Sequence, residues 1–176
     1  VLMTMRSADK GVTWSQPVVV AQVQSRGATD PESGTSIRDG ANLGSIAAGR
    51  NGRIAMVWQD SRFSGGQRDG IAYSQSTDGG LTWSTPVGLN QAPAVQAFVP
   101  TVHIRDDGTI GVTYYDLRNN TTAPTILADY WLVQSADGVT WTETHVAGPI
   151  DYATAPDARG LFLGDYFARS SKRSGA

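Results

Sequence analysis

The feature that most constrains the fold of this chain is a segment that occurs twice. Residues 45–62 (SIAAGRNGRIAMVWQDSR) align without a gap on residues 101–118 (TVHIRDDGTIGVTYYDLR). The glycine of a central turn, the isoleucine two positions after it, an aromatic residue and a final Asp-x-Arg recur at the same places. A repeat of this kind predicts that the chain is assembled from copies of one supersecondary unit.

The segments between the turns have the pattern of β-strands. Short apolar runs, alternating or β-branched, are separated by Gly, Asn-Gly or Asp-Gly, and no stretch has the i, i+3, i+4, i+7 spacing of an amphipathic helix. The predicted strands are Val18–Val23, Ser45–Ala48, Arg53–Trp58, Gly70–Ser74, Pro100–Ile104, Thr109–Tyr115 and Tyr130–Gln134. The pattern predicts an all-β domain built from hairpins, with both residues of Asn51-Gly52 and of Asp107-Gly108 at positive φ.

Composition excludes several classes of protein. Fourteen basic and 16 acidic residues give a net charge of −2, so there is no broad basic field and no nucleic-acid partner is expected. No apolar run is long enough for a transmembrane helix, so no membrane partner is expected either. Cysteine is absent, and His103 and His145 are too few and too far apart for a zinc site. We therefore predict no metal and no cofactor.

A second motif, of the form S-x-D-x-G-x-T-W, occurs three times. Its copies are Ser7, Asp9, Gly11, Thr13 and Trp14; Ser76, Asp78, Gly80, Thr82 and Trp83; and Ser135, Asp137, Thr140 and Trp141, the last being one residue shorter between Asp and Thr. The aspartate should accept hydrogen bonds from N–H groups two residues on, and glycine should supply a positive φ. The tryptophan should pack against the neighbouring sheet. About four strands per repeat predict the blades of a β-propeller.

The tryptophan motif resembles the Asp-box, the bacterial neuraminidase repeat of sialidase-like β-propellers, and the resemblance covers nearly all of the chain. It implies blades of four antiparallel strands in which the box joins the third strand to the fourth. We therefore expect one half-propeller domain over residues 1–176. It would contain a half blade at 1–21, blades at 43–88 and 99–148, and the first strand of the next blade at 160–169.

About three blades are fewer than the four to eight of a closed propeller. A six-bladed ring would result if a homodimer completed it or if the chain were part of a longer one. In such blades, strand parity puts the boxes and the turns at 51–52 and 107–108 on one face. The opposite face would carry the loops at 24–42, 60–62, 91–98, 116–118 and 150–159. Long loops on a rigid scaffold usually form the binding surface, so we expect the ligand on the face opposite the boxes.

The resemblance also implies a chemistry. Sialidase-like enzymes bind an anionic sugar with arginines and use a glutamate-activated tyrosine as nucleophile with an aspartate as acid/base. The substrate-binding candidates are Arg62, Arg118, Arg38 and Arg159, and the catalytic candidates are Asp60, Asp116 and Tyr166. The alternative for the repeated Asp60–Arg62 and Asp116–Arg118 is structural, each aspartate orienting its own arginine.

Other residues are weaker candidates. Tyr114 and Tyr115 should point to opposite faces of their strand, with packing as their alternative role. The chain has two glutamates, Glu32 and Glu143, and no tyrosine–glutamate pair can be assigned from the sequence. Asp39 and Asp165 are further acid/base candidates. The Arg-Ile/Leu-Pro motif that sialidases carry near their start is missing.

Two functions stay open at this point. The first is a sialidase-like glycoside hydrolase or a glycan-recognising propeller that takes an anionic sugar. The second is a non-catalytic binding or interaction module, or a truncated chain with no activity of its own. The resemblance makes an extracellular or periplasmic location plausible, although no signal peptide pattern is present.

Overall fold

The computed structural model describes residues 1–164 of the 176, and this part of the chain is all-β. Its strands are β1 (Leu2–Thr4), β2 (Val18–Ala21), β3 (Ser45–Ala48), β4 (Ile54–Asp60), β5 (Gly70–Ser76), β6 (Val87–Gly88), β7 (Ala97–Ile104), β8 (Ile110–Asp116), β9 (Leu127–Ser135) and β10 (Thr142–Asp151). Two single-turn 3-10 helices cover Arg62–Ser64 and Tyr152–Thr154. Within residues 1–164, no helix is long and apolar enough to cross a membrane.

The strands form one hairpin and two four-stranded antiparallel sheets. The hairpin pairs β1 with β2, sheet 1 has the order β3-β4-β5-β6, and sheet 2 has the order β7-β8-β9-β10. Each sheet is a meander in which every strand pairs with the next one along the chain. The predicted all-β class with antiparallel hairpins is therefore confirmed.

Three hydrophobic clusters stack these elements. One cluster joins the hairpin to sheet 1 through Val20, Ala21, Met56, Trp58 and Ala72. A second fills the space between the two sheets. A third packs the far face of sheet 2 against the 28–37 segment and the chain after β10, including Tyr152 and Leu161. Within residues 1–164, sheet 1 is thus covered on both faces and the hairpin on one.

The predicted strand ends need correction at several places. β2 ends at Ala21 rather than Val23. β5, β7 and β9 extend beyond their predicted limits because their backbones continue to pair with a neighbouring strand. In β7 the pairing register shifts between Phe98 and Thr101, where Val99 has a φ of 52°. Such a bulge is not visible in an apolar pattern.

The two predicted β-turns differ from each other. Asn51 and Gly52 have φ values of 56° and 76°, as predicted for a tight hairpin turn. Asp107, in contrast, does not have a positive φ, and only Gly108, at 88°, does. The Gly108 N–H donates to the Arg105 carbonyl at 2.9 Å, which makes the glycine the last residue of its turn. The prediction for Asp107 was therefore wrong.

The three tryptophan motifs fold as the same kind of turn. In the first two, the Asp9 and Asp78 carboxylates accept hydrogen bonds from the N–H of the threonine four residues on, at 2.8 and 3.0 Å. In the shorter third copy, Asp137 accepts from the N–H groups two and three residues on, each at 2.8 Å. The expected two-residue spacing therefore occurs only in the third copy. Hydrogen bonds from threonine lower the pKa of Asp9 to about 2.

The motif tryptophans have different surroundings. The Trp141 ring packs edge-on against Tyr73 of sheet 1, with 4.9 Å between ring centroids. Trp83 packs against the cluster between sheet 1 and the hairpin. Trp14 is 59% exposed, so the expected packing against a neighbouring sheet is not present for this copy.

The turns segregate to two ends of the sheets. The Gly79 N–H of the second motif donates to the Gly52 carbonyl at 2.9 Å, which joins that motif to the β3–β4 turn. At the other end, the Ala97 N–H donates to the Asp69 carbonyl at 3.0 Å, joining the β6–β7 loop to the β4–β5 loop. We call these ends the motif face and the loop face. The predicted strand at 160–169 is described only to residue 164, where Leu161 bridges Ile37.

Candidate functional site

The first Asp-x-Arg pair lies at the loop-face end of sheet 1. The Asp60 side chain is fully buried, and the Arg62 guanidinium donates to it from Nε at 2.8 Å and from Nη2 at 2.8 Å. Trp58 Nε1 also donates to Asp60, at 2.8 Å. Arg62 Nη2 donates further to the Gln22 carbonyl, so it anchors the segment that follows the hairpin. Both carboxylate oxygens of Asp60 thus accept hydrogen bonds from side chains of the protein.

The second pair repeats this arrangement in sheet 2. Asp116 is fully buried, and Arg118 Nε donates to it at 2.8 Å. The indole that donates to the aspartate comes from the neighbouring strand, with Trp131 Nε1 at 3.0 Å. The Arg118 guanidinium lies over the Trp131 ring, 3.7 Å from its centroid. Both pairs thus have the geometry of the structural alternative, in which each aspartate orients its own arginine.

Sheet 2 adds a glutamate that sheet 1 lacks. Glu143, on the edge strand β10, accepts from Arg118 Nη1 at 2.7 Å and from Nη2 at 3.0 Å. The Tyr114 hydroxyl donates to the same carboxylate. The structure therefore brings together a tyrosine–glutamate–arginine set that the sequence did not reveal.

The electrostatics of this set do not favour nucleophilic chemistry at Tyr114. Burial, and then the hydrogen bond to Glu143, raise the pKa of Tyr114 far above its ordinary value. Burial alone would raise the pKa of Glu143, but hydrogen bonds from Arg118 and Tyr114 outweigh it and lower the pKa. A nucleophile needs a lowered pKa or an adjacent base and must be accessible. Tyr114 is fully buried and its partner is a weak base.

A histidine–aspartate pair lies beside the same tryptophan. His145 Nε2 is 2.7 Å from Asp129 Oδ1, and Asn119 donates to the other oxygen of that carboxylate at 2.8 Å. The His145 ring lies 4.8 Å from the Trp131 ring. Trp131 is thus contacted by both Arg118 and His145.

Two further buried aspartates fasten the long 22–44 connection to the loop face. Asp69 accepts from the Ser25 hydroxyl at 2.7 Å and from the N–H groups of Arg26 and Gly27, each at 2.9 Å. Because these bonds are made to a buried carboxylate, they hold the beginning of the connection firmly.

Asp39 fastens the later part of the connection. It accepts from the Ala28 N–H at 2.6 Å and from Gln59 Nε2 at 2.7 Å. Gln59 Oε1 in turn accepts from the Val99 N–H at 3.0 Å, which ties the connection to both sheets. Burial raises the pKa of Asp39, and the negative charge of the neighbouring Asp69 raises it further. The hydrogen bonds that Asp39 accepts lower its pKa, but they do not outweigh these two causes. The acid/base candidate Asp39 thus lies in a buried hydrogen-bond network.

A cavity of about 450 Å³ opens on this face between three loops. Its lining includes the carboxylates of Asp30 and Glu32, the hydroxyls of Ser33, Thr35, Thr122 and Thr125, and the apolar side chains of Ile126 and Leu161. Asp30 is buried and accepts hydrogen bonds from Ser33 and Asn120. The side chain of Glu32, by contrast, is exposed and makes no hydrogen bond to residues 1–164.

The motif face has a cavity of similar size, about 430 Å³, whose lining includes Arg50, Arg53, Asp106 and Asp107. Arg53 is committed to the protein there, because its Nη1 donates to the Ala136 carbonyl at 3.1 Å and to the Gly108 carbonyl at 3.3 Å. In residues 1–164 no group of three or more His, Asp or Glu is placed to hold a metal ion.

The remaining candidates lie apart from the two Asp-x-Arg pairs. Arg38 Nη1 donates to the Ala158 carbonyl at 3.1 Å and its guanidinium lies over the Phe162 ring. Arg159 is exposed in the same loop region, with a φ of 67°.

Tyr115 packs in the cluster on the other side of sheet 2 from Tyr114, which confirms their opposite orientation. Tyr166 and Asp165 lie outside the described residues.

The sequence did not reveal the roles of Gln59, Asp69, Asp129 or Glu143. One signal for Glu143 was present: it follows Trp141 by two positions, so the two share a face of an extended strand. Since the other motif tryptophans have no acidic residue at that spacing, Glu143 is specific to the third copy. Its partners, however, are 25 and 29 residues away, and no local pattern indicates them.

Partial structural matches to known proteins include a sialidase and a protein of unknown function. The sialidase Hz136, described as a Hadza microbial sialidase, has 19% identity and a TM-score of 0.47, over 61% of this chain and 27% of that one. A protein of unknown function from Dyadobacter fermentans DSM 18053 has 23% identity and a TM-score of 0.41, over 61% of this chain and 35% of that one. The part that aligns with this chain is thus about a third or less of the length of each matched protein. No family model and no curated protein matches the chain.

Proposed function

We propose that this chain is part of a sialidase-like β-propeller that recognises a glycan through its loop face. The observation that carries the proposal is the cavity of about 450 Å³ between three loops of that face. Three separate loops meet there, and buried Asp39 and Asp69 hold the longest of them in place. Binding sites are typically concave and largely preformed, as this one is.

The lining of the cavity suits a sugar. Hydroxyl side chains both donate and accept hydrogen bonds, carboxylates accept them, and sugar hydroxyls do both. Ile126 and Leu161 provide apolar surface for the carbon face of a ring. The exposed Glu32 carboxylate makes no hydrogen bond to residues 1–164, so a ligand hydroxyl can donate to it without displacing an internal contact.

An acidic group on the glycan would be bound by Arg159, which is exposed in the loop that leads to Leu161, a residue of the cavity. Arg62 and Arg118 already donate to carboxylates of the protein, and Arg118 is shared between Asp116 and Glu143. Arg38 lies beside the same cavity, because its backbone N–H donates to the carbonyl of Leu161 at 3.0 Å.

Glycoside hydrolysis is the second candidate, and the contact of Tyr114 with Glu143 and Arg118 is what favours it. The burial of Tyr114 and its raised pKa argue for binding without turnover. We expect no release of 4-methylumbelliferone from its sialoside above a Tyr114→Phe control. Turnover that Tyr114→Phe abolishes, with folding intact, would replace the binding proposal by the enzyme proposal.

The binding proposal is tested by titrating a panel of neutral and acidic oligosaccharides in a calorimeter. Replacing a hydrogen bond to a charged group costs about 1.5–3 kcal/mol, so Glu32→Gln should weaken binding roughly tenfold or more. Asp106→Asn is the matched control, since Asp106 lines the cavity on the motif face. Binding that Asp106→Asn weakens and Glu32→Gln leaves unchanged would place the ligand on the wrong face for this proposal.

Two four-stranded sheets and one hairpin are fewer layers than a closed propeller ring needs. The missing sheets would come from a second copy of the chain, in a homodimer that completes a six-bladed ring, or from further sequence of the same protein. Both sources remain proposals.

A further inference from the structure

One asparagine of the chain is followed by a glycine. The asparagines are Asn42, Asn51, Asn90, Asn119 and Asn120, and glycine follows Asn51 alone. The backbone nitrogen of the next residue can attack the side-chain amide of an asparagine and close a five-membered ring. A glycine at that position hinders the attack least, because it has no Cβ. Asn51 is therefore the asparagine with the least steric protection against this reaction.

The β3–β4 turn leaves both reacting groups open to solvent. Asn51 and Gly52 are exposed. Neither the Asn51 side chain nor the Gly52 N–H makes a hydrogen bond to residues 1–164. The turn is closed instead by the Arg53 N–H, which donates to the Arg50 carbonyl at 3.1 Å. The attacking nitrogen and the amide that it attacks are therefore not committed to contacts within this part of the chain.

The other asparagines are held or hindered. The side-chain amides of three of them make hydrogen bonds, namely those of Asn90, Asn119 and Asn120. Asn42 is exposed but precedes Leu43, whose large side chain hinders the attack. Asn51 thus differs from the other four both in its neighbour and in its surroundings.

The second copy of the repeat offers a comparison at the same position. Asp107-Gly108 aligns with Asn51-Gly52. The Gly108 N–H is engaged, because it donates to the Arg105 carbonyl at 2.9 Å. The Asp107 carboxylate accepts from the Thr109 N–H at 2.9 Å, and this hydrogen bond lowers the pKa of Asp107. An ionised carboxylate is a poor target for a nucleophile, so the turn of sheet 2 is protected where the turn of sheet 1 is not.

We propose that Asn51 is a site of spontaneous deamidation in the folded protein, with water as the co-reactant. The Gly52 nitrogen forms a bond to Cγ of Asn51 while the bond from Cγ to Nδ2 breaks. The Gly52 N–H proton passes through water to the departing nitrogen, which leaves as ammonia. Water then opens the succinimide ring at one of its two carbonyl carbons. Opening at Cγ gives aspartate, and opening at the backbone carbonyl carbon gives isoaspartate, in which the main chain runs through Cγ.

The two products differ in their effect on the motif face. Both place a new carboxylate in the lining of the cavity of about 430 Å³, which already includes Asp106 and Asp107. Isoaspartate also lengthens the main chain by one carbon directly before Gly52, whose carbonyl accepts from the Gly79 N–H at 2.9 Å. It should therefore loosen the joint between the second tryptophan motif and the β3–β4 turn. This inference goes beyond the proposed glycan recognition, because the turn does not lie on the loop face.

The test incubates the folded protein at pH 8 and follows the fragment of residues 39–59, which a protease that cuts before aspartate releases. Deamidation changes its mass by the difference between OH and NH₂. Aspartate at position 51 adds a new cut, whereas isoaspartate does not. Asp107→Asn is the matched control, because it puts Asn-Gly into the second copy of the turn. Asn51 should deamidate at least tenfold faster than position 107 of that variant in the folded state, and at a similar rate in urea.

Two results would overturn the proposal. One is a rate at Asn51 that is more than tenfold lower in the folded protein than in urea, because the turn would then protect the site. The other is an equal rate at the two turns of the folded variant, because the hydrogen bond of the Gly108 N–H would then not matter.

Asn51→Asp separates the new charge from the change in the main chain. Its melting temperature should stay close to that of the wild type, because aspartate also tolerates a positive φ. The isoaspartate fraction should melt about 2–4 °C lower, as expected for one lost hydrogen bond in a chain of this size. Equal melting temperatures of all three would overturn the loosening of the joint.

Discussion

The two four-stranded sheets end their second strands with the same Asp-x-Arg unit, but the two arginines have different further partners. Arg62 donates to one carboxylate and to the Gln22 carbonyl of the connecting segment. Arg118 is shared between Asp116 and Glu143 and covers Trp131. The pair itself is therefore a repeated structural element, and its outer contacts are specific to each sheet.

The two aspartates also differ in their electrostatics. Burial alone would raise the pKa of both, but hydrogen bonds from Arg62 and Trp58 outweigh it at Asp60, whose pKa is lowered. At Asp116 burial outweighs the hydrogen bonds from Arg118, and the pKa is raised. The ionised form is therefore less favoured at Asp116 than at Asp60.

The largest expected effect is the loss of Trp58 in sheet 1. Trp58 is 1% exposed and donates to Asp60, so Trp58→Ala should cost about 3–5 kcal/mol of unfolding free energy. Trp131→Ala should cost less, because Trp131 is only partly buried although it plays the same role toward Asp116. Urea unfolding of both variants measures the difference, and an equal or larger loss for Trp131→Ala would contradict the comparison.

Removing the arginines comes next. Breaking a buried ion pair costs about 3–5 kcal/mol, and the 24% and 20% exposure of these side chains reduces the expected cost to about 2–3 kcal/mol. Arg118→Ala should be the more damaging because it leaves two carboxylates without their cation. Arg50→Ala serves as control, since its exposed contact with Asp106 should contribute less than about 0.5 kcal/mol. Chemical denaturation at pH 7 ranks the three, and a reversed order of Arg62 and Arg118 would refute the idea of a shared arginine.

Glu143→Gln sharpens the comparison through pH. The folded-state pKa of Glu143 lies below its ordinary value of 4.5, so its ionised form stabilises the fold above that pH. This contribution is lost as the pH falls through the folded-state pKa. The difference between wild type and Glu143→Gln should therefore be largest near pH 7 and shrink below about pH 4. A difference that stays constant from pH 7 to pH 3 would mean that the carboxylate charge does not matter there.

The smallest expected effect concerns the motif face. Asp78→Ala removes hydrogen bonds that Thr82 and Leu81 donate to the turn, so the melting temperature should fall. Glycan affinity should stay at the wild-type value, because this turn lies at the opposite end of the sheets from the proposed cavity. A calorimetric titration of the variant checks this, and a clear loss of affinity would count against the assignment of the faces.

The sequence predicted well those features that depend on neighbouring residues. The alternation of strands, the Asn51-Gly52 turn, the opposite orientation of Tyr114 and Tyr115, and the internal pairing of Asp60 with Arg62 all span a few positions. It failed where a turn had an equally good local alternative, as at Asp107, and where a bulge shifts the register, as at Val99. The turn at Asp107 is closed by a local hydrogen bond, from the Gly108 N–H to the Arg105 carbonyl. At the bulge, by contrast, the Val99 N–H donates to Gln59, a residue of the other sheet.

The candidate site was predicted only in outline. The loop face was expected from strand parity, but the long connection on it is held by Asp39, Asp69 and Gln59, which are far apart along the chain. Glu143 meets Arg118 and Tyr114 because the pairing of β8, β9 and β10 brings them into register across three strands. The bulges of β10 come only after His145, so the register at Glu143 is set by the regular pairing of residues 142–145 with residues 131–134.

By itself, then, the amino-acid sequence predicted much of the repeated unit: seven of the strands, the turn at Asn51-Gly52 and, as one of two alternatives, that each aspartate orients its own arginine. These features follow from backbone preferences and hydrogen bonds within a few residues. The tertiary structure alone decided which side chains are buried and which charges share a partner. Burial and register arise from packing between layers, and packing joins residues that are distant in the sequence.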